Sequence, residues 1–350
     1  MSARDVIADT LSTAVHAPSG DNSQPWEFKR TGNSVLMLNR AEGDPTLYNF
    51  RQRGSYLSHG AVAENIAIAA AAMGFQCDII PFPGVAGTTA EVRFTEAGST
   101  NEPLRSFIER RATNRKPYDI RSLDGRHRDA LLGAIQYGTA AVKLIEDRDS
   151  IEEMATAVSQ NERLLFENRL LHDFLFDMIR WTATEERAQP GLYVKTMEFP
   201  LPLQFMFRYV FRHWWIVRLL NRVGLSSAIP KQSALGYAAS SAIGAVIIDG
   251  DSDTDFFNAG RTLQRMWLTA ASLGVSLQPI TAMPYLMQRV EAGEADMFNS
   301  KHIEIITKSY ARIASVFEVQ GNKRIAMLFR IGYDGEPTAR SHKQLPRIVQ

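Results

Sequence analysis

Apolar and polar residues follow two different periodicities along this 350-residue chain. Apolar residues recurring every three to four positions predict helices over residues 3–15, 126–136, 151–182, 202–223 and 301–317. Short apolar runs predict strands over residues 26–31, 35–39, 91–94, 141–146, 242–249 and 324–333. The mixture of the two patterns predicts an α+β fold.

Two alanine-rich segments lie 200 positions apart and share one pattern. Residues 60–74 read GAVAENIAIAAAAMG, and residues 260–274 read GRTLQRMWLTAASLG. Each predicts a helix ended by glycine, and each is followed by a strand-like run, at residues 75–81 and 275–281. The repetition predicts a duplicated unit, with one half at residues 1–105 and the other at residues 106–350. A helical insertion at about residues 151–236 belongs to the second half.

The stretch from Phe199 to Leu225 is rich in aromatic residues, among them Phe205, Trp214 and Trp215. Four arginines interrupt it, so no uncharged run is long enough to span a bilayer. A helix with an aromatic side on a cavity or a neighbour and arginines in water is the main interpretation. A helix lying on a membrane surface is the alternative.

Composition excludes several classes of function. The chain carries 39 basic and 38 acidic residues, a formal charge of +1, which argues against nucleic acid as a partner. Cys77 is the only cysteine, so an intramolecular disulfide and a multi-thiolate metal site are ruled out. The seven histidines show no paired metal-ligand spacing. The first ten residues lack the plan of a signal peptide, so we expect a cytoplasmic protein without a transmembrane segment.

Residues 17–26, APSGDNSQPW, place hydroxyl and amide side chains between two prolines. Proline fixes φ, and Ser, Gly, Asp and Asn favour turns. This predicts a stiff loop whose polar groups suit the edge of a flat heterocycle.

Residues 110–118, RRATNRKPY, form a second unusual cluster. In an extended segment Arg111, Thr113 and Arg115 share one side, which suits a phosphate because arginine offers paired donors. A solvated basic run is the alternative. The C-terminal tail adds three further cations, Arg340, Lys343 and Arg347.

Together these motifs resemble those of the FMN-dependent nitroreductase family. The loop at residues 18–26 is similar to the family's P-S-x-x-N-x-Q-P-W signature, and residues 111–115 are similar to its R-x-S-x-R phosphate motif, with Thr113 in place of serine. Residues 273–276, LGVS, and 330–333, RIGY, followed by Arg340, resemble further elements of that family. The resemblance implies a nitroreductase-like fold.

The order of the motifs differs from that of an ordinary homodimeric member. Each predicted half carries one of the two main motifs, so the resemblance implies the fused, pseudo-dimeric (Acg-like) branch of the family. The two halves would then form a pseudo-dimer that assembles one complete FMN site within one chain.

The resemblance also implies roles for individual residues. Arg111, Thr113 and Arg340 would hold the FMN phosphate, and Arg115 would lie near the pyrimidine side of the ring. Ser19, Asn22 and Gln24 would contact ring or ribityl oxygens, and backbone N–H groups near Ile280, Thr281 and Ala282 would face N5. The complete set of expected cofactor-binding residues is Pro18, Ser19, Asn22, Gln24, Arg111, Thr113, Arg115, Gln278, Pro279, Ile280, Thr281 and Arg340. No catalytic side chain is expected, because the flavin carries the chemistry.

The function implied is an oxidoreductase that passes hydride from NAD(P)H through FMN to a small acceptor such as a nitroaromatic or a quinone. An FMN-dependent oxidase or dehydrogenase of a specific metabolite and a flavin-sequestering protein are the alternatives. The helical insertion is expected to form a lid over the flavin, with Phe205, Trp214 or Trp215 against the ring. We expect a monomer or a weak homodimer.

Overall fold

The structure is a computed structural model that describes residues 3–98 and 101–349. Its helices are α1 (Ala3–Ala14), α2 (Arg53–Ala72), α3 (Gly125–Leu132), α4 (Arg148–Val158), α5 (Gln160–Glu167), α6 (Arg169–Met178), α7 (Ala183–Ala188), α8 (Leu201–Met206), α9 (Trp214–Asn221), α10 (Leu225–Ala238), α11 (Asp253–Ser272), α12 (Ala282–Glu291) and α13 (Ser300–Val316). Its strands are β1 (Trp26–Thr31), β2 (Ser34–Asn39), β3 (Phe75–Pro81), β4 (Thr88–Glu96), β5 (Ala141–Ile145), β6 (Ile179–Arg180), β7 (Leu192–Tyr193), β8 (Ala242–Asp249), β9 (Ser276–Ile280), β10 (Lys323–Gly332) and β11 (Ile348–Val349). The fold is therefore α+β, as the sequence predicts.

Two sheets repeat one arrangement. The first sheet has the order β11-β1-β2-β4-β3, and the second has the order β5-β8-β10-β9. Apart from β11, all strand pairs in both sheets are antiparallel. In each sheet a long helix follows the second strand in chain order, α2 between β2 and β3 and α11 between β8 and β9. The correspondence agrees with the 200-residue repeat, whereas the division near residue 105 stays a prediction.

Helices α2 and α11 pack against each other through two glycines. A Cβ on Gly60 would lie 1.9 Å from the carbonyl oxygen of Phe257, and a Cβ on Gly260 would lie 1.8 Å from that of Leu57. Only glycine allows so close an approach of two helix backbones. The two contacts exchange under a shift of 200 residues, which is the reciprocity that a two-fold relation produces.

A buried ion pair lies beside this contact. The fully buried Glu64 accepts hydrogen bonds from Arg261, at 3.1 Å, and Arg265, at 2.5 Å. Tyr137 donates a further hydrogen bond to the same carboxylate at 2.9 Å. The carboxylate is thus compensated by two guanidinium groups and a hydroxyl, which burial of a charge requires.

The insertion is more broken than the sequence predicts. The helix predicted over residues 151–182 is divided into α4, α5 and α6, and it ends where β6 pairs with β7. Asn168 is extended, and its side chain accepts a hydrogen bond from the N–H of Leu171, so it ends one helix and caps the next. The helix predicted over residues 202–223 is divided into α8, a π turn at Phe207–Phe211, and α9. Helices α10 and α12 were not predicted.

The C-terminal tail returns from the second sheet to the first. The backbone N–H of Phe28 donates to the carbonyl of Arg347 at 2.8 Å, and β11 runs parallel to β1. The tail therefore crosses the loop at residues 18–26 on its way to the edge of the first sheet.

Candidate functional site

A cavity of about 260 Å³ lies where the two sheets and the insertion meet, and we call it the main cavity. Its walls come from the loop after α1, the start of α2, the middle of α11, the junction of β9 with α12, and helices of the insertion. The lining residues include Pro18, Ser19, Asp21, Asp44, Leu57, Thr113, Arg115, Phe174, Leu175, Met178, Tyr237, Trp267, Pro279, Ile280, Thr281 and Ala282. Mostly apolar walls with a few polar groups are typical of a small-molecule site.

The loop at residues 18–26 reaches this cavity with its first part only. Pro18 and Ser19 line the wall, and the Ser19 hydroxyl accepts a hydrogen bond from the N–H of Gln24 at 3.0 Å. Asp21, Asn22 and Gln24 have positive φ angles of 45°, 57° and 50°. Non-glycine residues rarely hold such angles, so external contacts must keep the loop in this shape.

The C-terminal tail supplies those contacts. Asn22 donates from Nδ2 to the carbonyl of His342 at 2.9 Å, and its Oδ1 accepts from Lys343 Nζ at 2.8 Å. The backbone N–H of Gln344 donates to Gln24 Oε1 at 2.9 Å. The structure thus places Asn22 and Gln24 against the tail, not on the cavity wall where we expected them. A motif cannot reveal this difference, because the tail arrives from more than 300 residues away.

A second, smaller pocket of about 50 Å³ adjoins the main cavity. Thr113 and Arg115 line both spaces. Five of the residues that line the smaller pocket are basic, and we call it the cationic pocket; its basic members are His16, Arg111, Arg115, Arg340 and Lys343. The structure therefore brings the predicted phosphate residues Arg111, Thr113 and Arg340 together, at one end of the apolar space. Glu109 also lines this pocket.

Arg111 is held firmly and lacks a carboxylate partner in the described part of the chain. One guanidinium nitrogen donates to the carbonyl of His16 at 2.9 Å, and the group lies 4.2 Å from the ring centre of Trp267. Its Nε is buried and makes no hydrogen bond. A buried donor without a partner is costly unless a ligand accepts from it.

The remaining basic groups are oriented by backbone carbonyls. Lys343 Nζ donates to the carbonyl of Ala17 at 2.9 Å, and Arg115 donates to that of Thr196 at 3.0 Å. Arg340 donates to the carbonyl of Arg110 at 3.3 Å and forms an ion pair with Glu336. Arg347, which we grouped with these cations, lies outside the pocket and contacts Glu27 at 3.5 Å.

Burial makes the cationic pocket electrostatically unfavourable when it holds no anion. It lowers the pKa of Arg111 to about 9. Burial, followed by repulsion from Arg111, lowers the pKa of Lys343 to about 7. Burial also lowers the pKa values of His16 and Arg115. An anion at this point would favour the charged form of all four groups.

Two carboxyl groups line the main cavity, and we had assigned no role to either. Burial, and then the charge of Asp21, raise the pKa of Asp44 to about 7. Burial also raises the pKa of Asp21, against the opposing effect of Arg115. Asp44 Oδ1 accepts the N–H of Thr46 at 3.3 Å. Asp44 is therefore poised to hold or release a proton near neutral pH. Its position in an ordinary polar stretch gave no signal, because only the fold buries it.

The junction of β9 with α12 lies where we predicted. Pro279, Ile280 and Thr281 line the main cavity, and α12 begins at Ala282 without a side-chain cap. The first N–H groups of a helix have no partner within it, so they are available to a ligand. Gln278 points elsewhere, since its Oε1 accepts from Arg330 Nε at 2.7 Å.

The insertion covers the main cavity with other side chains than we predicted. Phe174, Leu175 and Met178 of α6 line it, together with Tyr237 of α10. Phe205 and Trp215 are instead exposed, at 59% and 69%, and Trp214 packs on His172 with ring centres 5.1 Å apart. The prediction that Phe205, Trp214 or Trp215 covers the cavity is therefore wrong. Trp267, on α11, is the tryptophan that lines the cavity.

Three aromatic side chains pack together on the other side of the central helices. Phe82 packs edge-on against Tyr56, at 5.1 Å between ring centres, and against Phe257 at 6.3 Å. A shift of 200 residues carries Phe82 and Phe257 onto Ala282 and Leu57, which line the main cavity. Phenylalanine thus stands at two positions whose counterparts, Ala282 and Leu57, line the main cavity.

Metal and thiol chemistry find no support here. Among residues 3–98 and 101–349, no group of three or more His, Cys, Asp or Glu side chains is arranged to hold a metal ion. Burial raises the pKa of Cys77 to about 12, so its thiol stays protonated.

Among residues 3–98 and 101–349, no helix is both long and apolar enough to cross a membrane.

Comparison with known proteins gave several relatives in Mycobacterium tuberculosis. Rv3131, provisionally named an NAD(P)H nitroreductase, is 22% identical over 85% of this chain and 82% of its own length. The protein acg, provisionally named in the same way, is 28% identical over 53% of this chain and 56% of its own length. The uncharacterized protein MT1398 is 25% identical over 77% of this chain, which spans only 38% of that relative. No family model matches the chain.

Among solved structures, a nitroreductase with bound FMN from Bacteroides fragilis covers 70% of this chain and 95% of its own, at 14% identity and a TM-score of 0.38. The named relatives confirm the resemblance to nitroreductases that the motifs predict. The fused, pseudo-dimeric arrangement stays a prediction.

Proposed function

We propose that this protein is an FMN-dependent oxidoreductase of the nitroreductase type, with one FMN per chain. It would take hydride from NAD(P)H and pass it to a small acceptor such as a nitroaromatic or a quinone. The observation that carries the proposal is that an apolar cavity adjoins a cationic pocket, with Thr113 and Arg115 lining both. A flat ring with a phosphate at the end of a short chain has this distribution of apolar surface and charge.

The cationic pocket would hold the phosphate. Arg111, Arg340 and Lys343 would donate to it, with the Thr113 hydroxyl beside them, because charged donors bind phosphate strongly. The unpartnered Nε of Arg111 supports this role. Lys343 extends the set we predicted, and its contact with Asn22 would couple the phosphate site to the loop at residues 18–26.

The main cavity would hold the ring. The flavin, when bound, supplies hydride transfer at its N5. Arg115 would place positive charge near the ring, and the N–H groups at the start of α12 would donate hydrogen bonds toward it. Asn22 and Gln24 would act through the loop, by holding Ser19 in the cavity wall. Helix α6 would limit the entry of water.

Asp44 would serve as the local source of protons. Reduction of a nitro group or a quinone consumes protons as well as electrons, and a carboxyl with a pKa of about 7 is protonated in a useful fraction at neutral pH. Asp44 lies in the same cavity as the N–H groups of α12. It would therefore supply a proton to an acceptor bound beside the ring.

Reduction of the purified flavoprotein by NADH or NADPH without oxygen tests the proposed activity. Rapid loss of the yellow absorbance, and its return when a quinone is added, is the expected result. Persistent colour with both nucleotides would contradict a nicotinamide-dependent reductase. That outcome would favour the second candidate, a flavin-sequestering protein, for which the cover of Phe174, Leu175 and Met178 over the cavity is the supporting observation.

A substitution of Arg111 tests the phosphate site without relying on turnover. Arg111→Met keeps most of the side-chain volume but removes the charge, so FMN affinity should fall by roughly 100-fold. The flavin-free variant should unfold at no lower denaturant concentration than the parent, because a buried unpaired cation is lost. Titration of FMN by tryptophan fluorescence measures the affinity, and Arg126→Met, at a highly exposed arginine, is the control. Unchanged affinity would refute this placement of the phosphate.

A further inference from the structure

The segment at residues 201–223, which we call the aromatic segment, is apolar on two faces. Its inner face contributes Phe207, Phe211 and Val217 to a buried hydrophobic cluster of the insertion. It also exposes large apolar side chains in two rows spaced by four residues, Leu201, Phe205 and Tyr209, and then Trp215, Leu219 and Val223. The exposed fractions range from 52% for Tyr209 to 83% for Val223. Six large apolar side chains exposed within one segment of a folded domain indicate an interaction surface.

The charge of this region has one sign. Between Glu198 and Asp249 the sequence contains no acidic residue, and it contains five basic ones, Arg208, Arg212, Arg218, Arg222 and Lys231. Arg212, Arg218 and Arg222 are exposed. Among the described residues no carboxylate forms an ion pair with any of the five. Arg208 lies over the rings of Trp181 and Tyr209, at 5.8 Å and 5.4 Å. The remainder of the chain carries a small net negative charge, so the positive charge is concentrated in this stretch of the sequence.

This combination fits one partner best. Exposed tryptophan, tyrosine and phenylalanine beside arginine are typical of helices that lie in the interface of a bilayer, where the rings enter the headgroup region and the cations contact anionic lipid. A second copy of the chain fits worse, because an isologous contact would bring these unpaired arginines against one another. Charge complementarity therefore favours an anionic lipid surface.

We propose that the aromatic segment docks the protein on the surface of an anionic phospholipid bilayer. The helices lie on the bilayer and do not cross it. The proposal does not depend on the function proposed above, since none of the outward-facing side chains lines the main cavity.

Flotation of the full chain with lipid vesicles tests the proposal. Two vesicle types are used, phosphatidylcholine alone and phosphatidylcholine mixed with phosphatidylglycerol. The protein should float with the mixed vesicles at low salt, remain unbound with phosphatidylcholine alone, and lose most of its binding at high salt. Failure to float with mixed vesicles at low salt would overturn the proposal.

Two sets of variants locate the surface. Phe205→Ser with Trp215→Ser should lower the partition coefficient at least ten-fold, as should Arg212→Gln with Arg218→Gln and Arg222→Gln. The matched controls are Ile120→Ser, at a residue that is 77% exposed elsewhere, and Arg126→Gln, and both should bind like the parent. These positions are exposed, so the circular dichroism spectrum and flavin content should not change.

Light scattering tests whether a second copy of the chain, not a lipid surface, covers the aromatic segment. A stable dimer that Trp215→Ser converts to a monomer, together with no vesicle binding, would assign the face to self-association and refute lipid docking. Equal vesicle binding by the parent and by both sets of variants would also refute it, because the surface would then lie elsewhere.

Discussion

Single residues in this protein carry more information about the site through their burial than through their identity. Arg111 belongs to an ordinary basic run in the sequence, and a solvated run was the alternative interpretation. In the structure it is 7% exposed and stacked on Trp267, with a donor that has no partner. The cost of such burial is what identifies it as a ligand-binding group.

Asp44 gives a pH-dependent signature at the residue scale. Its pKa in the folded chain is about 7, against a reference value of 3.8, so the folded form holds the proton more tightly than the unfolded form. Its contribution to stability is therefore present below about pH 4 and is lost as the pH rises through about 7. Asp44→Asn should raise the free energy of unfolding of the flavin-free protein by ~2–4 kcal/mol above pH 7 and by almost nothing near pH 4.

Denaturant unfolding at a series of pH values measures this difference. The exposed Asp296→Asn serves as the control and should show no such trend. A gain for Asp44→Asn that is equal at acidic and alkaline pH would show that Asp44 is not a buried titrating group.

The lowered pKa of Lys343 leads us to expect that the protein takes up a proton when it binds an anion. Its pKa is about 7 in the cationic pocket, so above neutral pH much of it is uncharged. A bound phosphate would restore the pKa toward its ordinary value, and FMN binding at about pH 8 should take up close to one proton. Calorimetry in buffers of different ionisation enthalpy measures the uptake. It should fall to a small residue in Lys343→Met, and an undiminished uptake in this variant would place the titrating group elsewhere.

At the scale of elements, the central helices show why the repeated glycines stand where they do. Gly60 and Gly260 were predicted only as the first residues of two helices, but α2 and α11 begin seven residues earlier, at Arg53 and Asp253. The glycines lie at the point where the two backbones touch. A sequence pattern cannot distinguish a boundary glycine from a contact glycine, because both lack a side chain.

Gly260→Ala tests this contact. The new Cβ would meet the carbonyl of Leu57 at 1.8 Å, so the helices must separate, and the loss in unfolding free energy should reach at least ~3 kcal/mol. Gly236→Ala, within α10 and with nothing near the new methyl group, should instead be neutral or gain up to ~1 kcal/mol. Thermal and denaturant unfolding measure both variants. A mild effect of Gly260→Ala would mean that α2 and α11 pack less closely than described.

In the insertion, the sequence predicts helices, but the tertiary structure decides where they break and which side chains they bury. Its helical character follows from the sequence, while the breaks within it depend on local hydrogen bonds such as the cap at Asn168. Which aromatic side chains turn inward is decided by packing. Phe207 and Phe211 are buried, whereas Phe205 and Tyr209, two residues before each, are exposed.

At the scale of the whole molecule, the two halves differ where a second cofactor would have to bind. Phe82 and Phe257 pack against each other at the positions that correspond to Ala282 and Leu57 of the main cavity. We therefore expect one FMN per chain. Flavin released by heat and compared with the protein concentration gives the number of FMN molecules per chain, and a ratio near two would contradict the expected asymmetry.

FMN binding should quench the fluorescence of Trp267. Loss of this quenching in Trp267→Phe would locate the bound ring in the main cavity.

The sequence by itself determined the α+β class, the repeat, the loop of amides and the cluster of arginines, because helix and strand periodicity and turn chemistry are local properties. Only the tertiary structure decided that Thr113 and Arg115 line two adjoining spaces, that Asn22 and Gln24 contact the tail, and that Asp44 is buried. The contacts of Asn22 and Gln24 with the tail depend on segments about 320 residues apart meeting in a medium of low polarity. Burial changes the energy of a charge or a donor only after the chain has closed around it, and no local pattern records which groups will be enclosed.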